Sequence, residues 1–194
     1  EKKTATVKVL DTKGTVDTAD DARTDTLVDL LTVGASEVDA FAGLNGGTAD
    51  ALGLKLTGVD FALALASEQT VAAGVEKREW TALKATAEDA SFVGLDGLTV
   101  SADTLTVEVN RSATVGTGAA AVTTIIDFKT QSLDVATGPA SKLALGMDGM
   151  EGALLRASGY LHLNVFNFFS VEGGFAIEKK TATVKVLDTK GTVD

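Results

Sequence analysis

The sequence predicts an all-β protein. The expected form is an elongated, β-rich repeat block, either a solenoid-like stack or an open sandwich, with three divergent hairpin-containing sub-repeats. Three observations predict it. Apolar and polar residues alternate with period two in many stretches, which puts one face of a strand against a core. Thr and Val abound in these stretches, and glycine-bearing turns separate them. Finally, residues 1–17, EKKTATVKVLDTKGTVD, recur unchanged as residues 178–194, an offset of 177 residues.

Taken in chain order, Ala5, Val7 and Val9 oppose Thr4, Thr6 and Lys8. Strand-like pieces follow at 31–33, 54–56, 61–65, 83–85, 98–100, 105–109, 133–135 and 161–165, with Leu155 leading the last and further strands from about residue 166 to the junction. A helical turn over 35–40 or 20–30 remains an open alternative at those points. Residues 61–65 are apolar on both faces, Phe61, Leu63 and Leu65 alternating with Ala62 and Ala64. Such a strand belongs between two layers or against a neighbouring unit. In the similar stretch 161–169, Phe166 and Phe168 fall on one face and Leu163, Val165 and Phe169 on the other. Four of the eight phenylalanines lie between Phe166 and Phe175, which reads as a dense core region or as an inter-unit interface.

Three short motifs recur, Gly43-Leu44-Asn45-Gly46, Gly94-Leu95-Asp96-Gly97 and Gly146-Met147-Asp148-Gly149, with starts 51 and 52 residues apart. Asn-Gly and Asp-Gly are favoured centres of type I′ hairpin turns, where both residues need positive φ. Asn45, Gly46, Asp96, Gly97, Asp148 and Gly149 are therefore expected to be structural turn residues, calcium ligation being the competing account of the acids. Gly173-Gly174 is expected to form a bulge or turn between Val171 and Phe175.

The duplication sets the domain organisation. Residues 1–177 are expected to be one tandem repeat unit, with sub-repeats at roughly 24–70, 71–122 and 123–177, and residues 178–194 the start of the next. The chain is then expected to be a window on a longer array, its first residue not a native N-terminus, the alternative being that the second copy was included as a closing strand; either way the segment is a junction. A repeat with an open sheet edge needs its neighbour to cover it. Thr181, Thr183, Val184, Val186 and Leu187 are the expected inter-unit strand.

Composition excludes several function classes. With no cysteine there is no disulfide framework, thiolate metal site or cysteine nucleophile. With 17 basic against 27 acidic residues the net charge is −10, and no basic stripe is present to replace phosphate counterions, so no nucleic-acid partner is expected. No apolar run is long enough for a membrane-spanning helix. The single histidine, His162, lies between Leu161 and Leu163 without a local triad signature and is expected on a solvent or interface face. Glycine pairs 46–47 and 173–174 lack the Lys-Ser/Thr of a phosphate-binding loop. Trp80 and Tyr160 are expected in core or rim packing. The densest acidic stretch, 17–25, offers Asp17, Asp20, Asp21 and Asp25 as calcium candidates. Its spacing fits no EF-hand loop, and a solvated acidic loop is the plainer account. No catalysis and no cofactor are expected, calcium being the one possible ion.

The perfect duplication, the Thr/Val/Ala/Gly/Asp-rich strands, the absence of cysteine and the acidic balance together resemble the tandem repeats of very large secreted bacterial proteins, the giant adhesins and surface-fibre proteins. The stretch 169–179, FSVEGGFAIEK, has the same strand-rich texture. The chain departs from immunoglobulin-like extender repeats in its length and threefold texture. The resemblance implies an extracellular or cell-surface location, a structural or adhesive role in a fibre or stalk, and partners that are neighbouring repeats, identical chains or an unspecified surface or host target. One unit carries a net −11, which would keep a long array soluble. The alternative is a binding module whose Phe-rich strands form an apolar groove for a lipid or other hydrophobic ligand.

Overall fold

The computed structural model describes residues 1–15, 17–69, 71, 74–182 and 184–187. Among the described residues eleven strands follow one another: β1 (Lys2–Asp11), β2 (Ala22–Leu44), β3 (Leu52–Glu68), β4 (Glu79–Val93), β5 (Leu98–Arg111), β6 (Ala113–Val115), β7 (Val122–Ile126), β8 (Leu133–Ala136), β9 (Lys142–Leu145), β10 (Leu154–Val165) and β11 (Phe169–Lys180). Nine form one antiparallel sheet in the order β11-β10-β5-β4-β3-β2-β1-β7-β6, and β8 and β9 form a separate hairpin. The fold is all-β, and the large sheet is open rather than closed into a barrel. Among the described residues there is no α-helix, so 20–30 and 35–40 belong to β2 or its approach rather than to helical turns.

Several expected pairs of short strands are single long ones. The pieces at 54–56 and 61–65 are both β3, those at 98–100 and 105–109 are both β5, and Leu155 runs on through 161–165 in β10. The interruptions between them are irregularities within strands. The β2–β3 register shifts between Ala35, Val38 and Ala40, and the β5–β10 register between Ser158 and Tyr160. Glu37, Gly58 and Thr104 take positive φ of 55°, 58° and 50° along this line, as bulged strands do where they twist more sharply. Gly173-Gly174, expected as a bulge or turn, instead lies inside β11 in unbroken register with β10.

The core occupies one face of one half of the sheet. There the β8–β9 hairpin, Phe128 and Met147 cover Val7 and Val9 of β1, Val28 and Leu30 of β2, Ala62, Ala64 and Ala66 of β3, and Trp80 and Ala82 of β4. Small side chains line β3 because the hairpin backbone sits close. Gly34 of β2, which pairs with Ala62, faces the Ala136 carbonyl directly. The two-sided strand 61–65 is therefore covered on its alanine face, while Leu65 on the opposite face is exposed together with Leu31 and Val33. Buried polar groups fasten the far side of the core. Trp80 Nε1 donates to the Thr124 carbonyl at 3.2 Å, and Asn110 Nδ2 to the Ile126 carbonyl at 3.0 Å. Trp80 is thus a core residue, as expected, whereas Tyr160 is exposed.

Beyond the core the six longest strands run on as a single layer. Rows of directly paired residues keep apolar side chains on a common face, as in Ala42, Leu54, Phe92, Val100, Leu163 and Val171. The next such row brings Leu44 beside Leu52, and Leu98 beside Val165 and Phe169. β2 spans 23 residues, roughly 75 Å at the rise of an extended chain, so much of its length lies outside the core.

Candidate functional site

The repeated segment occurs in two settings, and the contrast between them defines the site. In its first copy it is β1, an interior strand paired along its length with β2 and at Val9 and Leu10 with β7. Val7, Val9 and Leu10 are buried there, at 6%, 1% and 0% exposure. In its second copy, Glu178 to Lys180 complete β11 against β10, and the Thr181 amide donates to the Ala153 carbonyl at 3.1 Å. Beyond that point Val184, Val186 and Leu187, the equivalents of Val7, Val9 and Leu10, are 71%, 84% and 85% exposed and form no strand. Of the expected inter-unit strand, Thr183 lies outside the described residues, as do residues 188–194.

Two sheet edges flank this junction. Among the described residues, β11 has β10 on one side and no strand on the other. β2 is paired with β1 as far as Leu31 and bonded to Glu1 at Thr32, so among the described residues the rest of β2 has β3 alone. Open edges of this length offer rows of unpaired amides and carbonyls.

Arg156 of β10 anchors the start of the second copy. Its guanidinium reaches Glu178 at 2.6 Å, Glu151 at 2.5 Å and Glu108 at 3.4 Å. The hydrogen bonds to Glu178 and Glu151 raise its pKa still further above the ordinary arginine value. Hydrogen bonds from Lys180 and Arg156 in turn lower Glu178 below the usual glutamate value. In the first copy the equivalent Glu1 keeps the corresponding lysine pair, with Lys3 at 3.3 Å, against 2.7 Å for Lys180 and Glu178.

The expected turn residues divide. Asn45 and Gly46 lie in the β2–β3 connection, but the positive φ values fall on Asn45 and Gly47 rather than on the Asn-Gly pair. Asp96 and Gly97 lie in the β4–β5 connection, where Gly97 has φ 79° and Asp96 does not enter the positive region. Neither is therefore a type I′ turn. Asp148 caps a single 3-10 turn, Gly149–Glu151, accepting from the Met150 amide at 2.9 Å. The third motif is a cap because Gly149 is buried against Asp127 and cannot form a hairpin tip. The type I′ geometry falls instead on Phe166-Asn167, with φ 50° and 56°, which composition does not flag. Phe166 and Phe168 therefore stand on the β10–β11 tip, 67% and 95% exposed, rather than on one face of a strand in a dense core.

The calcium candidates do not converge. Asp17 accepts from the Ala19 amide, Asp20 from the Thr15 hydroxyl, and Asp25 pairs with Lys8 at 2.7 Å. Asp21 keeps one buried carboxylate oxygen without a partner among the described residues. No group of three or more metal-ligating side chains is found among the described residues. The carboxylate with the densest set of partners is Asp127, which sequence reasoning missed. It is buried, and its oxygens accept from Arg23 Nε at 3.0 Å, Thr130 Oγ1 at 2.6 Å and the Gly149 amide at 3.2 Å. Burial alone would raise its pKa, but these hydrogen bonds outweigh burial and lower it.

His162 is directly paired with Ser101, yet its ring nitrogens face carboxylates, Asp103 at 2.9 Å and Glu172 at 3.6 Å. In this arrangement neither nitrogen is turned to a hydroxyl, as a serine nucleophile would need. A cleft of about 590 Å³ lies between the loop after β1, β7 and the 149–153 segment. Its lining mixes Leu10, Ile125 and Met150 with Asp11, Lys13 and Asp21, and Thr181 stands on its wall. The phenylalanines of the β10–β11 tip take no part in it.

No protein-family model matches the chain, and no curated protein or solved structure is similar to it.

Proposed function

We propose that the chain is a structural module of an extracellular bacterial repeat protein, built to extend a fibre or adhesin stalk rather than to carry out a reaction. The observation that carries this reading is the double use of one 17-residue sequence, which begins within the edge strand β11 beside Arg156 in one copy and forms the interior strand β1 in the other. A module that worked alone would have no use for a second copy with its three large apolar residues in solvent. The net charge of −11 per unit supports the same reading, since like-charged repeats stay soluble and resist collapse.

The mass of the native polypeptide, denatured and run on a large-pore gel, tests this. A mass of many 177-residue units is expected. A mass near 19.8 kDa would overturn the tandem reading. A second reading is favoured by the apolar rows of the single-layer half: a module that binds a lipid or another hydrophobic ligand across Leu54, Phe169 and Val171, all exposed. Organic extraction of the natively purified protein followed by mass spectrometry separates the two. A stoichiometric lipid would favour the second reading, and a ligand-free chain the first.

A further inference from the structure

Resting on the tandem reading, we infer that β11 is the missing edge strand of the following repeat. Residues 169–177 of one unit lie antiparallel along the free half of β2 in the next. Ile177 stands opposite Val33 and Phe175 opposite Ala35, and β11 and the following β1 are one continuous strand. The partner is thus a second copy of this unit in the same polypeptide, joined by backbone hydrogen bonds across a shared sheet.

The register follows from the identity of the two copies. Lys2 pairs with Leu31, and Glu1 and Thr32 exchange both backbone hydrogen bonds at 2.8 Å. Glu178 is the same residue one unit on, so the preceding Ile177 falls opposite Val33. Both are exposed apolar residues, and the pairing would cover them.

Three features of the structure agree with this register. The first is side-chain direction. Lys179 stands in one cross-strand row with Leu155, Val109, Leu83, Leu63 and Val33. Lys2 stands beside Leu31, two residues from Val33 and so on the same face. The repeated segment therefore presents the same side chains to the same face in both copies, and one sheet can pass through both without turning over.

The second feature is hydrogen-bond direction. Along a strand the N–H and C=O of successive residues point to alternate sides. Glu1 points both groups at β2. Thr181, the equivalent of Thr4, points its amide at β10. These parities are opposite, so a fused strand has Glu178, Ala176 and Gly174 turned away from β10 and toward the next β2.

The third feature is complementary coverage. On the side of β1 away from β2, β7 reaches Val9 and Leu10, the Asp127 amide reaches the Lys8 carbonyl, and Gln131 reaches that of Thr6. The stretch left uncovered is Lys2 to Thr4. Its equivalent in the second copy, Lys179 to Thr181, is the stretch β10 covers. The two neighbours occupy different lengths of one strand and do not compete. The sheet then runs on from unit to unit, and both open edges are covered.

A two-unit polypeptide, residues 1–177 followed by the full 194-residue chain, tests the inference. The protein has no cysteine, so an introduced pair reports without background. Ile177→Cys in the first unit and Val33→Cys in the second form a non-hydrogen-bonded pair in the inferred register. Such pairs have Cα atoms about 4.5 Å apart, within disulfide range. An intramolecular disulfide on mild oxidation is expected from this pair. It is not expected from Ala176→Cys with the same Val33→Cys, whose side chains point to opposite faces. Without cysteines, the amide of Ala176 in the first unit and that of Gly34 in the second should exchange at least about tenfold more slowly than in the 194-residue chain. A two-unit chain that folds without this disulfide or this protection would overturn the shared strand and leave the array itself standing. Equal crosslinking of both cysteine pairs would also overturn it. A native polypeptide of single-unit mass is the separate result that removes the array.

Discussion

A β-carbon placed on Gly34 would stand 2.4 Å from the carbonyl oxygen of Ala136, closer than any side chain can approach a backbone oxygen. The β8–β9 hairpin is seated on the sheet at this glycine, and the neighbouring Ala62 and Ala64 are small for the same reason. Gly34→Ala must therefore lift the hairpin or bend β2. Overpacking of this kind costs about 1–3 kcal/mol. Urea unfolding followed by Trp80 fluorescence should give a lower midpoint for the variant. An unchanged midpoint would mean that the hairpin does not rest there.

Asp127 should contribute to the acid limb of the stability curve, together with Asp11 and Glu68, whose pKa values the fold also lowers. Its pKa is lowered in the fold, because bonds from Thr130, Arg23 and Gly149 outweigh burial. A depressed carboxyl stabilises fully above its unfolded value, about 4, and loses that contribution as pH falls through the folded value. Asp127→Asn should cost about 1.5–3 kcal/mol at pH 7, the range for hydrogen bonds to a charged group. It should also flatten the fall in stability between pH 5 and the acid limit, roughly pH 2. Urea midpoints of both proteins at pH 7 and pH 3 check this. A variant that loses as much stability on acidification as the parent would refute the assignment.

Much of the fold was legible because period two matches burial in strands such as β1, where Val7 and Val9 are buried and Thr6 and Lys8 are not, and because an exact duplication needs no interpretation. The misreadings have physical causes. Gly58 and Thr104 lie at irregular points within strands, where a local positive φ resembles a turn in sequence while the chain runs on. Asp148-Gly149 has hairpin chemistry, but a buried partner, Asp127, recruits it as a cap. The alanines of β3 look like the weak face of their strand and are the covered one. Asp127 and Arg23 are 104 residues apart, and their meeting depends on the arrival of β7 beside β1, which no local pattern encodes.

Phe166 holds φ at 50° in the β10–β11 turn with most of its side chain in solvent. A bulky residue in the left-handed region is strained by about 1–2 kcal/mol, and little burial offsets the strain here. Phe166→Gly should raise the unfolding midpoint by the equivalent of about 1 kcal/mol. Phe168→Ala removes an exposed ring from a residue outside the positive-φ region and should change stability by less than about 0.5 kcal/mol. Parallel urea melts of the two variants compare strain with exposure. The Phe166 ring lies over Gly97, where an added β-carbon would stand 2.6 Å from its Cδ1, and a destabilised Phe166→Gly would show that this contact matters more than the backbone strain.

Arg156 and its partners Glu108, Glu151 and Glu178 are partly buried but keep solvent on one side, so these pairs should add little to global stability and be weakened by salt. Their effect should be local. Glu178 begins the repeated segment, and Arg156 holds it beside β10, three residues before the Thr181–Ala153 hydrogen bond. Arg156→Ala should leave the urea midpoint nearly unchanged and make the Thr181 amide exchange several-fold faster. The same loosening should occur in the parent protein as pH falls through the lowered pKa of Glu178, because protonation removes the charge that Arg156 and Lys180 hold. Adding salt at pH 7 should move Thr181 exchange in the same direction and leave the core amide of Trp80 unaffected. Equal acceleration at Thr181 and Trp80 in the variant would mean that Arg156 supports the whole sheet and not this junction.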